Sequence, residues 1–124
     1  MPLINKSERI KDGEKKPTRY YSKKQEKSVV NNLVGVATKN SGATMFDKGD
    51  VKLDNFALEC KTKTKYSESV SIKKEWLEKI DKEALFMGKK YSALAFNFGP
   101  DENNYYVIDE YLFKKLIDVV NNEN

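Results

Sequence analysis

The sequence predicts an α/β fold: a mixed β-sheet with flanking helices, in the order α-β-β-α-β-β-α. Three observations lead there. Residues 22–38, 72–87 and 109–120 each carry apolar side chains at helical spacing. Two short runs, Asp50 to Leu53 and Phe56 to Thr62, flank the turn pair Asp54-Asn55 and read as a hairpin. Tyr91 to Phe98 is nearly continuous in apolar residues, as expected of a central strand covered on both faces.

Taken in order, residues 1–21 are polar, lysine-rich and almost free of apolar periodicity, which predicts a flexible basic arm. Such an arm can track phosphates, with Tyr20 and Tyr21 free to stack, or remain an unbound tail. Residues 22–124 then form a single domain. Ser22 is a plausible N-cap for a helix running to about Thr38, with Val29, Val30, Leu33, Val34 and Ala37 on the buried face. Glu26 shares that face, so its carboxylate points toward the rim of the core. An acid in a first turn also complements the helix dipole, and both roles stay open. Asn40-Ser41-Gly42-Ala43-Thr44 reads as a turn, with Gly42 tolerant of positive φ.

Beyond the hairpin, residues 63–70 form a polar loop. Ser71 is positioned to cap a helix from Ile72 to Met87, whose inner face carries Ile72, Trp76, Leu77, Ile80 and Ala84. That periodicity assigns Trp76 to packing. Gly88 ends the helix. Gly99-Pro100 breaks the apolar strand, Asn104 to Ile108 forms another, and the last helix turns Leu112, Leu116, Ile117 and Val120 inward.

Composition narrows the chemistry. The chain of 124 residues has no histidine and one cysteine. Triads built on Ser-His or Cys-His, and zinc sites that need histidine, are therefore excluded. An internal disulfide is excluded too, which fits a reducing compartment. Nothing approaches the roughly 20 apolar residues of a membrane span, and the N-terminus lacks an apolar signal stretch, so a cytoplasmic location is expected. The formal net charge is +4, unevenly spread. Residues 1–28 hold nine Lys/Arg against four Asp/Glu, residues 29–100 twelve against nine, and residues 101–124 two against six. A basic front with an acidic tail suits a nucleic-acid partner, although a lysine-rich solvated surface looks the same.

The most informative pattern is Gly49-Asp50-Val51 followed by Glu59-Cys60-Lys61. Side chains alternate along a strand, so Glu59, Lys61 and Lys63 share one face while Phe56, Leu58 and Cys60 take the other. A hairpin brings Asp50 near Glu59. Two carboxylates beside a lysine suit a hard cation such as Mg²⁺ or Mn²⁺, which acidifies water and offsets charge building on an attacked phosphodiester. Asp50 and Glu59 are the candidate ligands, the Cys60 backbone carbonyl a third oxygen, and Glu26 an outer ligand. Lys61 faces the water, and Lys63 is placed for a phosphate. Lys23, Lys24 and Ser69 are further candidate DNA contacts, as is Ser71 if it is not simply a cap.

At these residues, from Gln25 to Phe98, the chain resembles the PD-(D/E)xK nuclease superfamily, and within it the small Holliday junction resolvases of archaeal and phage type. In that family a helix glutamate precedes a Ser-Gly turn, a metal-binding aspartate and an E-x-K strand. Those roles fall here on Glu26, Ser41, Asp50, Glu59 and Lys61. Gly49 stands where the family often has proline, a position commonly replaced. The resemblance implies a restriction-endonuclease-like sheet and Mg²⁺- or Mn²⁺-dependent cleavage of four-way DNA junctions by a homodimer. Ser41 and Gly42 would touch DNA near the cut, and a phage-encoded enzyme would act in the host cytoplasm. A restriction, nicking or repair nuclease would use the same site. A non-catalytic DNA-binding protein would need only an ion pair between Glu59 and Lys61.

Overall fold

The computed structural model describes residues 17–33, 44–45 and 50–123. Among these residues three helices, α1 (Thr18–Leu33), α2 (Lys74–Phe86) and α3 (Glu110–Asn121), accompany five strands. These are β1 (Thr44–Met45), β2 (Asp50–Lys52), β3 (Phe56–Lys61), β4 (Tyr91–Phe96) and β5 (Tyr105–Val107). They form one mixed sheet in spatial order β1-β2-β3-β4-β5. All neighbours run antiparallel except β3 and β4, which are parallel. A parallel pair needs a crossover, and α2 supplies it.

Alternation along β3 explains the layering. Leu58 and Cys60 face α1, joining Val29, Val51, Ala93 and Ala95 in one core cluster. Ala57 faces the other way, onto Ile80 and Ala84 of α2. Both faces of β3 are therefore covered, and its four central residues are all buried. The mixed α/β architecture expected from the sequence is present, with β1 as an added edge strand.

Several boundaries differ from expectation. The first helix begins at Thr18, directly after Pro17, whose fixed φ suits a helix entry. Ser22 lies inside α1 rather than capping it, and Tyr21, expected in the arm, is a core residue at 5 % exposure. The remainder of the arm, the Ser41-Gly42 turn and the expected helix end at 34–38 lie outside the described residues. The second helix starts two residues late. Lys73 is its N-cap with no side-chain cap bond, while Ser71 stays exposed in the extended lead-in. In α3 the Asp109 carboxylate accepts the Leu112 N–H at 2.8 Å, a side-chain N-cap. Of the four α3 residues expected inside, only Leu112 is buried. Leu116, Ile117 and Val120 are exposed, because α3 is seated only at its first turn. Helical spacing marks a face that is apolar; it does not supply the neighbour that covers it. No described helix is long and apolar enough to cross a membrane.

Two glycines matter for shape. A Cβ on Gly99 would lie 2.8 Å from the Tyr66 Cα, so only glycine lets the loop after β3 pack against the end of β4. Gly88 ends α2 at φ +72. Its N–H bonds the Leu85 carbonyl at 3.1 Å and the Lys89 N–H bonds the Ala84 carbonyl at 2.8 Å, a Schellman closure. Space around Gly88 is open, so only backbone strain opposes a side chain there. Gly88→Ala should lower unfolding stability by about 1 kcal/mol in a urea titration. An unchanged midpoint would mean that the turn relaxes without cost.

Candidate active site

The short turn at Asp54-Asn55 sets the site. The Leu53 N–H bonds the Phe56 carbonyl at 2.9 Å, closing the hairpin. Pairing then runs Lys52 with Ala57, Val51 with Leu58 and Asp50 with Glu59. Asp50 thus stands directly across from Glu59, as the hairpin reading expects.

Glu59 lies on the α2 side of β3, not on an open charged face. It is only 4 % exposed. A carboxylate out of water needs opposite charge or hydrogen bonds, since its desolvation costs several kcal/mol. Two ammonium groups answer. Lys61 Nζ lies 3.2 Å from Oε2, and Lys79 Nζ, reaching down from α2, lies 3.1 Å from Oε1. Lys79 also touches Glu83 Oε2 at 3.2 Å, one helical turn on. Lys61 is held from a second side, 4.6 Å from the centre of the Trp76 ring. A cation over an indole face is attracted by the ring quadrupole. Half-buried Trp76 therefore orients the lysine besides filling space, which corrects its assignment to packing alone.

Lys79 and Trp76 were missing from the sequence-derived site. Lys79 is three residues after Trp76, on the flank of the apolar face of α2, so a helical projection puts both toward β3. With lysine and glutamate so frequent in 73–83, nothing in the sequence singles out this lysine.

Glu26 is buried at 4 % exposure, as its inward orientation predicts. It belongs to α1, the layer opposite α2. Its neighbour Gln25 accepts a hydrogen bond from the Thr62 hydroxyl, just past the end of β3. Glu26 therefore comes from the layer opposite the one that Glu59 faces. The Cys60 side chain is buried in the α1-side core. Burial, with a smaller contribution from Cys60, raises the pKa of the nearby Tyr106 phenol above its ordinary value.

The outlying candidates are dispersed. Lys63 is half-buried in the loop after β3, and Lys23 is exposed on α1. Lys24 is tied to Asp101 at 2.7 Å. Exposed Ser69 is held in a local turn, where its N–H meets the Ser67 hydroxyl at 3.2 Å. Ser41 and Gly42 lie outside the described residues.

Among the described residues, no cluster of three or more His, Cys, Asp or Glu side chains forms a ready metal site. The expected donor set of Asp50, Glu59 and the Cys60 carbonyl consists wholly of oxygens, which is the chemistry Mg²⁺ takes. Because Lys61 and Lys79 already meet the two Glu59 oxygens, a cation bound there would compete with them. Compared with known proteins, the chain matches no family model, no curated protein and no solved structure.

Removing one lysine leaves Glu59 the other. Lys61→Met and Lys79→Met should each cost about 1 kcal/mol or less in urea unfolding, because both ammoniums are partly exposed. Together they leave a buried charge without either ammonium and should cost about 3–5 kcal/mol, more than the sum. Simple additivity would show that Glu59 is compensated from elsewhere.

Proposed function

We propose that this chain is a divalent-metal-dependent DNA endonuclease that hydrolyses phosphodiester bonds in branched DNA, four-way junctions foremost, as a homodimer. The supporting observation is Glu59: a buried carboxylate, in register with Asp50 across the hairpin and 3.2 Å from Lys61 on its own strand. Enclosure by two layers lowers the local dielectric, so charges there act on a substrate more strongly than they would at an open surface.

In this reading Asp50, Glu59 and the Cys60 carbonyl hold Mg²⁺ or Mn²⁺, with Glu26 as the outer carboxylate. When bound, the cation acidifies the attacking water and offsets charge on the phosphate. Trp76 and Glu59 fix the Lys61 ammonium, which orients that water and stabilises charge developing on a non-bridging oxygen. Lys79, shared between Glu59 and Glu83, would supply a second positive group for the phosphate. Lys63 and the exposed Lys23 extend the contact along the backbone.

One observation favours a different reading. Both Glu59 oxygens are occupied by ammonium groups, an arrangement that is sufficient as a structural ion cluster in a non-catalytic DNA-binding protein.

Cleavage of a labelled four-way junction with Mg²⁺ or Mn²⁺ separates the two. Asp50→Asn and Glu59→Gln should each lower the rate at least about 10²-fold while leaving junction binding in place. Equal cleavage by the variants would refute the nuclease reading, and a panel of duplex, flap and single-stranded DNA would rank substrates. Calorimetry of Mn²⁺ binding without DNA adds a direct readout. Lys79→Met removes a competitor for Glu59 and should tighten Mn²⁺ several-fold, whereas the structural-cluster reading expects no binding by either protein. Sedimentation at micromolar concentration should give twice the monomer mass; a monomer bound to a cleaved junction would remove the dimer from the proposal.

A further inference from the structure

A second feature lies at the same end of the sheet, on the α1 side. Register pairs Lys61 of β3 with Phe96 of β4, so Thr62 and Asn97 are the first residues beyond the ends of two neighbouring parallel strands. In open α/β sheets this carboxyl end is where crevices form, because the connections leave in different directions. Here they leave a polar cavity of about 250 Å³ between α1 and the 97–104 loop.

One wall is a chain of hydrogen bonds. Thr62 Oγ1 donates to Gln25 Oε1, Gln25 Nε2 donates to Asn104 Oδ1 at 3.4 Å, and Asn104 Nδ2 donates to Ser28 Oγ at 3.1 Å. Asn97 breaks the pattern. It lines the cavity at 5 % exposure, yet its buried Oδ1 has no hydrogen-bond partner among the described residues. An unsatisfied buried amide is costly, and few persist without a reason. The rim is built in advance: Gly99-Pro100-Asp101-Glu102 closes with the Glu102 N–H on the Gly99 carbonyl at 3.1 Å, and Asp101 takes φ 64. Proline at the second position and positive φ at the third are the marks of a type II turn.

We propose that this cavity receives an unpaired nucleobase of the DNA, one neighbouring the scissile phosphate; the inference rests on the nuclease reading for its substrate. Amide side chains present donors and acceptors in a plane, the chemistry that matches base edges. A phosphate is disfavoured, since Asp101 and Glu102 line the rim against a single Lys24, itself paired with Asp101. Distance fits as well. Thr62 is three residues from Glu59 along extended chain, about 10 Å, which is within reach of an adjacent nucleotide. A base drawn out of the stack costs least where pairing is already interrupted, so the cavity would select branch points and ends over continuous duplex.

The test uses Asn97→Ala and Asn103→Ala, the second removing an exposed lining amide, in EDTA so that catalysis plays no part. The probes are a duplex carrying one unpaired 2-aminopurine, its fully paired counterpart, and free deoxynucleosides followed by side-chain amide NMR. Wild type should bind the unpaired probe about tenfold more tightly than the paired one, with a change in 2-aminopurine emission. Deoxynucleosides should shift the Asn97 and Asn104 amide signals. Each variant should reduce that preference toward unity, keep its affinity for paired DNA and keep its urea midpoint. Equal preference in wild type and variants, or unmoved amide signals, overturns the cavity proposal even if metal-dependent cleavage persists. Intact preference in a protein that never cleaves overturns the nuclease reading and leaves the cavity. Failure to bind either DNA rejects the cavity proposal, and the cleavage assay with metal still decides the nuclease reading.

Discussion

Everything at the site follows from burying one carboxylate. Glu59 occupies a strand position whose neighbours on both faces are core residues, so it leaves water with the rest of β3. The fold must then bring positive charge to it, and does so from two elements that also pack through apolar contact. Lys61 comes from the same strand two residues on, and Lys79 from the crossover helix. The position of α2 is thereby fixed at two points: the apolar seat of Ile80 and Ala84 on Ala57, and the ammonium of Lys79 on Glu59. Apolar contact holds the helix down; the ion pair sets its rotation.

Much of this was legible from the residues. Period-two alternation in Phe56–Lys61 correctly divided the strand into two faces, and the Asp54-Asn55 turn set the register that opposes Asp50 and Glu59. Glu26 was correctly placed inward from its spacing to Val29 and Val30. What was missed has a common cause. A charged residue on a half-buried face gives no signal of its partner, so Lys79 was hidden among many lysines and the partial cover of the Glu59 face went unseen. The same blindness runs the other way in α3, where Leu116, Ile117 and Val120 keep a regular apolar spacing with no surface to meet it. Start sites failed for a local reason. Serine at 22 and 71 is a good cap, but Pro17 opened α1 earlier and Lys73 became the cap of α2 without a side-chain bond.

The two faces differ at one end of the sheet. On the α2 side the ammoniums of Lys61 and Lys79 meet Glu59; on the α1 side the amides and hydroxyl of Gln25, Ser28, Asn97 and Asn104 lie beneath a rim that carries Lys24, Asp101 and Glu102. On the proposed function, the first face would meet the anionic backbone of a nucleic acid and the amides of the second its neutral base edges.

The ion cluster also constrains how a cation could enter. Each Glu59 oxygen already meets one ammonium, so a cation bound there would compete with Lys61 and Lys79 for the same carboxylate. Lys61 is the harder to move, because the Trp76 ring holds it from the far side. Lys79 is the easier, because Glu83 stands ready to keep it one turn along the same helix. On the proposed function, a cation would draw Lys79 rather than Lys61 from Glu59, and Glu83 would keep the displaced ammonium beside the site. Cation and substrate affinity would then be coupled through Lys79, each ligand favouring the other.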